Sequence, residues 1–484
     1  MKKVILFQPA IGYMDEMRTM PSLPLGLLSA VSLVNKSYDV VIIDQRTEKN
    51  WQAAVDRISD ADIVCAGVTA LTGAMIKGGV EFSKYIKEKY EIPVVWGGVH
   101  ASLLPRQTLE NRYIDIVVQG EGEITFLKVV EALDTGKSLS GVSGIWHKQN
   151  GSPEKTADRE FVQIEELPEM PYHLVDVNKY LPVYKGRKSV YFQSSRGCPY
   201  SCNYCYNTVF NRGRWRAVPA QKTLASLRKL VKENSDIEDV YFVDDNFFID
   251  MKRAEDIIKG MNEIGVSWQV QGVDIMALKN MDDAFFSLME KNGCRRLTVG
   301  IESGSERIRK MMSKQGTVQD IMEVMERLKN RNIVIVCSFL AAVPGEEYSD
   351  VKATVGLVFD MQKINPLVRC QPVYLYTPYP GTGMYEEALK TGYKPPVSIE
   401  EWALCEWDTT IRTDNRKFYE SLHFVSLFVD RKTEEYGVPR IVRFLAGLYR
   451  PVARARLRNL CFVFMAEKWI YRIASRLWLG SGVK

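Results

Sequence analysis

The stretch RGCPYSCNYCYN at residues 196–207 does most to decide the fold and the chemistry of this chain. Its three cysteines, Cys198, Cys202 and Cys205, have the spacing C-x3-C-x2-C. Structural zinc sites usually close with four ligands, often as two C-x2-C pairs, and the sequence contains no second pair. A cubane held by three thiolates instead keeps one iron open to an outside ligand. The run therefore predicts a [4Fe–4S] cluster whose metal ligands are these three cysteines.

This spacing resembles the signature of the radical S-adenosylmethionine (SAM) enzymes. In that family the amino and carboxylate groups of SAM occupy the open iron. Tyr204 lies between the second and third cysteines, where the family commonly has an aromatic residue. The resemblance implies that the three cysteines are catalytic and that Tyr204 lies beside SAM.

Residues 1–137 alternate short β-rich runs with helical stretches. We predict strands at 4–7, 40–43, 63–68, 94–96 and 116–118. Right-handed crossovers make this a Rossmann-like, doubly wound parallel sheet, whose ligands bind at the carboxyl ends of the strands. The loops at those ends are QPAIGYMDEMRTMPSLPLG, GVTALTG, GGVHAS and QGEGE.

Together these loops resemble the cobalamin-binding domain that precedes the radical domain in one large SAM-dependent family. Cobalamin mutases and methionine synthases carry a histidine in the first loop. Here no histidine precedes His100, so no protein ligand to cobalt is expected from that loop. A flavodoxin-like signalling or nucleotide domain is the alternative. The resemblance implies cobalamin contacts on the tail side at Thr69, Thr72, Gly97, Gly98 and His100, and on the corrin side at Pro21, Leu25, Gly26, Leu27, Gly120 and Glu121. It also implies cobalamin contacts at Gln8, Leu71 and Val99.

A second alternation of strands and helices follows a polar stretch. Residues 138–188 are rich in Gly, Ser and Pro and are predicted to be an ordered linker. Predicted strands follow at 190–193, 239–243, 267–271, 296–300, 334–339 and 369–374. Six such units over residues 189–390 predict a partial (β/α)6 barrel with catalytic groups at the carboxyl ends of its strands. Residues 391–484 are predicted to be mainly helical and basic.

Polar residues follow these strands where the resemblance implies contacts with SAM. Asp244 and Asp245 would pair with its ammonium group, although a turn or a helix cap is the common alternative for aspartate. Glu302 stands in VGIESGS between glycines that permit close backbone approach. The implied SAM contacts are Tyr204, Asp244, Asp245, Gln271, Glu302, Ser303, Val343, Pro344 and Gly345.

The composition predicts a protein of a reducing compartment. Nine cysteines are an odd number and six are isolated, which argues against a disulfide framework. The apolar run in MKKVILFQPA is too short for a signal peptide, and no run of about eighteen apolar residues marks a membrane span. We therefore predict a cytoplasmic, low-oxygen location and no nucleic-acid partner.

Positive charge is concentrated in the tail. The net charge is +5, but residues 431–484 contain twelve Lys and Arg against three acidic residues. RPVARARLRN and the stretch after it predict one or two amphipathic helices. We expect them to dock on the body of the protein. The alternative is that these helices make peripheral contact with an anionic membrane or with an acidic partner.

The two implied cofactors together narrow the reaction. An unactivated carbon has no lone pair to attack the methyl group of SAM, whereas a 5'-deoxyadenosyl radical can make a carbon radical that accepts methyl from methylcobalamin. We predict a C-methyltransferase that receives electrons from a donor such as flavodoxin or ferredoxin. A cobalamin-using radical oxidoreductase or cyclase is the alternative, and a cobalamin sensor with a structural cluster is a third hypothesis. A peptide, an isoprenoid lipid or a small metabolite each remains open as substrate.

Overall fold

The structure, a computed structural model, describes residues 1–12, 15, 20–58, 62–405, 414–430, 440–463 and 467–470. The described residues divide into two units. The first contains those of 1–15, 21–180 and 394–406, and the second those of 16–20, 181–393 and 407–484. Each unit is built on one large sheet.

Seven strands form the sheet of the first unit. They are β1 (Lys3–Gln8), β2 (Asp39–Asp44), β3 (Ile63–Thr69), β4 (Val94–Gly97), β5 (Ile116–Val118), β6 (Ile145–Gln149) and β7 (Ser152–Lys155). In space they lie in the order β2-β1-β3-β4-β5-β6-β7. β1 to β5 are parallel, and β6 and β7 continue the sheet antiparallel. The interiors of β1 and β2 are runs of apolar residues, VILF and VVII, because elements cover both faces of such a sheet.

Helices bury an apolar cluster on each face of this sheet. One cluster contains Phe7, Phe82 and Trp96, and the other contains Val4 and Phe126. A rank of helices on each side is what a doubly wound sheet requires. The helices are α1 (Leu25–Ala30), α2 (Trp51–Asp56), α3 (Ala74–Tyr90), α4 (Val99–Leu103), α5 (Pro105–Glu110) and α6 (Glu123–Thr135).

The second unit is a curled half-barrel. Its strands lie in the order β16-β15-β14-β13-β12-β9-β8. The hairpin of β8 with β9 is antiparallel, and the other neighbours are parallel. Two short strands, β10 and β11, pair separately. The strands are β8 (Val183–Tyr184), β9 (Arg187–Phe192), β10 (Ser195–Arg196), β11 (Arg216–Ala217), β12 (Asp239–Phe242), β13 (Ser267–Val273), β14 (Cys294–Glu302), β15 (Val334–Ala341) and β16 (Val368–Leu375).

Helices connect the parallel strands of the half-barrel, and further helices follow along the chain, one of them within residues 394–406 of the first unit. They are α7 (Asn207–Phe210), α8 (Ala220–Glu233), α9 (Met251–Ile264), α10 (Ile275–Asn280), α11 (Asp283–Lys291), α12 (Glu306–Met311), α13 (Val318–Leu328), α14 (Tyr348–Ile364), α15 (Gly383–Lys390), α16 (Ile399–Trp402), α17 (Arg416–Ser426) and α18 (Arg440–Arg458). No helix of the described residues is long and apolar enough to cross a membrane.

This architecture confirms the predicted fold class. The five strands of the parallel sheet and the six of the partial barrel lie where the sequence predicts them. Two segments differ from the predicted domain boundaries. Residues 138–180, expected to be linker, contribute β6 and β7 to the first sheet, and residues 394–406, expected in the helical domain, belong to the first unit. The functional division of the chain into domains stays a prediction.

Candidate active site

The three cysteines lie in the loop that follows β9 and β10 in the half-barrel. All are free thiols. Cys202 is buried, and Cys198 and Cys205 are half-buried. Gly197 leads into the cysteine run with φ of +83°, and a Cβ there would lie 1.9 Å from the carbonyl oxygen of Arg214. Only glycine therefore allows the cysteine run to pass this close to the segment before β11.

Asp244 follows β12 and binds the residues just before the cysteine run. It is 1% exposed. Its carboxylate accepts hydrogen bonds from the Ser194 amide at 2.6 Å, the Ser194 hydroxyl at 2.6 Å and the Ser195 hydroxyl at 2.8 Å. We predicted that Asp244 contacts SAM. Because both of its oxygens bind the loop and the residue is enclosed, we revise its role to bracing the cysteine run.

Two neighbours of Asp244 also contact the cysteine loop. Asp245 accepts a hydrogen bond from the Gly197 amide at 2.7 Å, and its contact with SAM remains a prediction. Asn246 is 3% exposed and its Nδ2 donates to Cys198 Sγ at 3.6 Å. The sequence analysis did not single out Asn246, because an asparagine after two aspartates is typical of a turn. Hydrogen bonds to cysteine sulfurs are among the groups that set the potential of an iron–sulfur cluster.

Glu302 lies buried at the end of β14 in a strained conformation. It is 8% exposed and has φ of +68°, in the left-handed region that a residue other than glycine rarely adopts. It accepts a hydrogen bond from the Ser338 hydroxyl at 3.3 Å and also binds the Tyr204 hydroxyl. Burial raises the pKa of Glu302, and Lys314 opposes that shift. Residues other than glycine with a strained backbone cluster at functional sites, which fits the predicted contact of Glu302 with SAM.

Lys314 is a second functional candidate that the sequence analysis missed. Its Nζ lies 3.3 Å from Asp274 Oδ2, and the two side chains are 8% and 3% exposed. Burial lowers the pKa of Lys314, but the charges of Asp274, Glu302 and Cys202 outweigh it, so the pKa stays above its ordinary value. Lys314 is therefore a buried cation beside the cysteine run. Its sequence context, MMSKQG after a helix, is typical of an exposed lysine.

The remaining predicted SAM residues have different surroundings. Ser303 is fully buried, and its Oγ lies 3.2 Å from Thr354 Oγ1 and accepts a hydrogen bond from the Ser305 amide at 3.1 Å. It faces helix α14, so we revise its role to shaping the turn after β14. Val343 and Pro344 are buried, whereas Gly345 and Gln271 are exposed.

The loops predicted to bind cobalamin meet at one edge of the first sheet, because β1, β3, β4 and β5 are successive neighbours. Gly98 has φ of +90°, and a Cβ there would lie 2.7 Å from the Ala70 carbonyl oxygen and 2.8 Å from Thr69 Oγ1. The GGVHAS loop thus crosses directly over VTALTG. Gly120 also has a positive φ, of +82°, but no atom lies within 4 Å of a Cβ built there. Protein atoms therefore pack closely around Gly98, whereas the space beside Gly120 is open.

The other predicted cobalamin residues divide into surface and interior positions. Leu27 is 4% exposed and packs in an apolar cluster of the sheet, so we revise it to a core residue. Glu121 accepts a hydrogen bond from the Val162 amide at 2.9 Å, which gives it a structural partner. Gln8 is buried, Leu71 and Gly26 are exposed, and Pro21, Leu25, Thr69, Thr72, Gly97, Val99 and Gly120 are half-buried.

His100 is enclosed by the segment 394–406. It is 1% exposed, its Nδ1 lies 3.0 Å from Thr72 Oγ1, and its ring centroid lies 5.9 Å from that of Trp402. Trp402 is a core residue, and its Nε1 donates to Gln107 Oε1 at 2.8 Å. Burial lowers the pKa of His100 to about 4. The side-chain partner of His100 is the Thr72 hydroxyl, and Nε2 has no hydrogen-bond partner among the described residues.

These groups fit the three implied cofactors. Among the described residues, no group of three or more His, Cys, Asp or Glu could hold a single metal ion. A cubane is wider than one ion, and three free thiols in one braced loop are the donors it needs. Burial raises the pKa of each thiol, that of Cys205 to about 12, and a bound metal would displace these protons. On the first unit, the unpartnered Nε2 of His100 and the open edge at Gly120 suit a large polar ligand.

Comparisons with known proteins agree with this geometry. The Radical SAM superfamily profile matches residues 192–358, and the B12 binding domain profile matches residues 20–130. An uncharacterized methyltransferase of Pyrococcus horikoshii is 32% identical over 375 residues, which cover 76% of this chain and 78% of the relative. The chain belongs to the cobalamin-dependent radical SAM enzymes.

Members of this family with other names are also similar. An anaerobic magnesium-protoporphyrin IX monomethyl ester cyclase of Rubrivivax gelatinosus is 25% identical over 365 residues, which cover 72% of this chain and 63% of the cyclase. The solved structure of the radical SAM methyltransferase TsrM from Kitasatospora setae, with tryptophan and a SAM analogue bound, superposes with a TM-score of 0.71. It is 16% identical and covers 99% of this chain and all of its own. At that identity it supports the fold alone.

The family assignment gives the class of enzyme and its cofactors. The chain is a cobalamin-dependent radical SAM enzyme of the methyltransferase class, and its cofactors are a [4Fe–4S] cluster, SAM and cobalamin. The cyclase relative represents the alternative chemistry.

Proposed function

We propose that this chain transfers a methyl group from SAM, by way of cobalamin, to an unactivated carbon of its substrate. The observation that carries the proposal is the pairing of two sites in one chain. One is a braced run of three cysteines with a buried cation beside it, and the other is a glycine-lined sheet edge that suits cobalamin. When bound, the cluster and SAM supply a carbon-centred radical, and cobalamin carries the methyl group.

The chain's own residues prepare SAM for that chemistry. Lys314 would pair with the carboxylate of SAM in addition to Asp274, because it is a buried cation beside the cysteine run. Glu302 would accept a hydrogen bond from a polar group of SAM, with Tyr204 and Ser338 fixing its carboxylate. Val343, Pro344 and Gly345 would line the adenine by backbone. Each of these groups positions the ligand and excludes water from it.

Asp244, Asp245 and Asn246 would keep the cluster ligands in place. Asp244 and Asp245 hold the backbone before the first cysteine, and Asn246 donates to Cys198 Sγ. Because all three follow β12, one strand end controls the position of the whole cysteine run. A loop fixed in this way needs little reorganisation when the cluster changes its charge.

Cobalamin would lie against the loops that follow β1, β3, β4 and β5. Gly97 and Gly98 would let the nucleotide tail approach the backbone, and the buried Nε2 of His100 would bind a polar atom of that tail. The first loop has no histidine, so we propose no protein ligand to cobalt from that loop.

The partners of the reaction are also proposals. We propose that electrons come from a small carrier such as flavodoxin or ferredoxin, and that the substrate is a peptide, a lipid or a small metabolite. We also propose peripheral contact of the basic C-terminal helices with an anionic surface.

Labelled SAM separates this function from its alternatives. The anaerobically reconstituted enzyme is incubated with a reductant, cobalamin, SAM carrying a labelled methyl group, and an extract of small molecules and lipids from cells that lack the protein. We expect label on cobalamin, formation of 5'-deoxyadenosine, and a product in which one hydrogen of the precursor is replaced by the labelled methyl group. Deoxyadenosine without label in any product would favour the oxidoreductase or cyclase, and absence of both signals would refute radical chemistry. Cys202→Ala is the matched control, since it removes one cluster ligand.

A further inference from the structure

Helix α18 exposes an apolar stripe to solvent, which is unusual for a surface helix of a globular protein. Phe444 and Leu448 are each 63% exposed, Leu445 is 57% exposed and Val452 is 49% exposed. At 100° per residue these four side chains fall within about a third of the helix circumference. Elsewhere on the helix, Ala453 and Leu457 are buried, so a different face holds α18 to its unit.

Arginines lie along one border of this apolar stripe. By helical periodicity Arg443, Arg450, Arg454 and Arg458 share a side of α18 between the stripe and the buried face. Arg454 and Arg458 stack on the ring of Phe359 in α14, with guanidinium carbons 4.9 and 4.5 Å from the ring centroid. These two arginines are thereby held against α14. No acidic residue occurs between 440 and 463.

Other exposed apolar side chains follow α18 in the chain. Val463 is 75% exposed, Trp469 is 68% exposed and Ile470 is 38% exposed. The single acidic residue of this described part, Glu467, is buried and pairs with Arg456 at 3.0 Å. The described residues from 440 onward therefore combine exposed apolar groups with exposed and half-buried arginines, and their one acidic group is buried in an ion pair.

We propose that the apolar stripe of α18, defined by Phe444, Leu445, Leu448 and Val452, docks on the surface of an anionic lipid bilayer. An apolar stripe bordered by arginines is the pattern of a helix that lies in the plane of a membrane interface. The apolar side chains enter the acyl boundary, while the arginines stay at the level of the phosphate headgroups. A folded acidic protein would match the charges, but it would not need four large apolar side chains in one row.

Vesicle flotation tests this surface with the full-length enzyme. The probe is a vesicle of phosphatidylcholine containing phosphatidylglycerol, compared with a vesicle of phosphatidylcholine alone. We expect binding to the anionic vesicle only, and partial loss of binding at high salt because the arginines are screened. Phe444→Ser with Leu448→Ser should weaken binding by at least about ten-fold, since two large apolar groups no longer enter the bilayer.

The matched control removes two exposed apolar side chains elsewhere. Val397 and Leu404 are 74% and 75% exposed, so Val397→Ser with Leu404→Ser also replaces two exposed apolar side chains by serine and should leave vesicle binding unaltered. The proposal is overturned if the wild type does not float, if it floats equally with neutral vesicles, or if the α18 variant still binds. A wild-type dimer that becomes a monomer in the α18 variant, without vesicle binding, would identify a second copy as the occupant.

Discussion

Replacing Asp244 by asparagine separates the two roles assigned to this residue. The sequence predicts a contact with SAM, whereas the structure has the carboxylate bracing the cysteine loop through Ser194 and Ser195. Asparagine keeps one acceptor oxygen but turns an NH2 group toward donors. At least one charge-assisted hydrogen bond of about 1.5–3 kcal/mol is lost, and a donor faces a donor. Arg253, which donates to the Ser194 carbonyl oxygen at 2.9 Å, also loses its nearby negative charge.

A total loss of about 3 kcal/mol would make opening of the loop about 100-fold more frequent. We therefore expect Asp244→Asn to lower the iron content after anaerobic reconstitution and to lower the melting temperature. The affinity of the cluster-loaded fraction for SAM, measured by equilibrium dialysis, should stay within about two-fold of wild type, since no bond to SAM is lost. Asp282→Asn is the control, because Asp282 caps helix α11 through the Phe285 amide and asparagine caps equally well. Full iron content together with at least ten-fold weaker SAM binding would refute the bracing role.

Four further changes have defined outcomes. Gly98→Ala should weaken cobalamin binding in a spectroscopic titration by at least about ten-fold, because the new Cβ would meet the VTALTG backbone. Gly136 also has a positive φ but lies in open space, so Gly136→Ala should leave cobalamin binding unchanged. Lys314→Met should raise the Kd for SAM at least about ten-fold by calorimetry, and an unchanged Kd would exclude the proposed pairing. Asn246→Leu should shift the reduction potential of the cluster to more negative values in an EPR-monitored titration, because it removes a hydrogen bond to Cys198 Sγ that favours the reduced cluster. An unchanged potential would show that this hydrogen bond does not tune the cluster. The pKa of His100 is lowered to about 4 in the folded protein, so as the pH falls the unfolded chain binds a proton at this histidine before the folded chain does. The free energy of unfolding should therefore fall by up to about 3 kcal/mol between pH 6.5 and pH 4. His100→Gln should remove that part of the pH dependence.

The fold could be predicted because each sheet has its own periodic signal. β-branched runs alternating with helices mark both parallel sheets, and the cysteine run marks the first barrel loop. Residues 138–180 could not be assigned in the same way, because β6 and β7 contain few β-branched residues and a proline, Pro153. The return of residues 394–406 to the first unit depends on Ile399 and Trp402 packing in its core, which no local pattern records.

The site was predicted less completely because its charges pair over long distances in the sequence. The partner of Asp244 is a serine pair about 50 residues earlier, and the partner of Lys314 is an aspartate 40 residues earlier. A motif fixes which residues lie at a strand end, but not which way a side chain turns there. Asp244 and Ser303 both lie at predicted strand ends and both turn into the protein.

The central claim is that three thiolates of this chain hold a [4Fe–4S] cluster that reduces SAM. The direct measurement is the iron content and the EPR spectrum of the anaerobically reconstituted enzyme, before and after addition of SAM, for the wild type and for Cys202→Ala. We expect about four irons per wild-type chain and a reduced-cluster signal that changes when SAM binds. The variant should lose the signal and form no 5'-deoxyadenosine. A wild-type chain without iron, or a variant that still forms 5'-deoxyadenosine at the wild-type rate, would contradict the account.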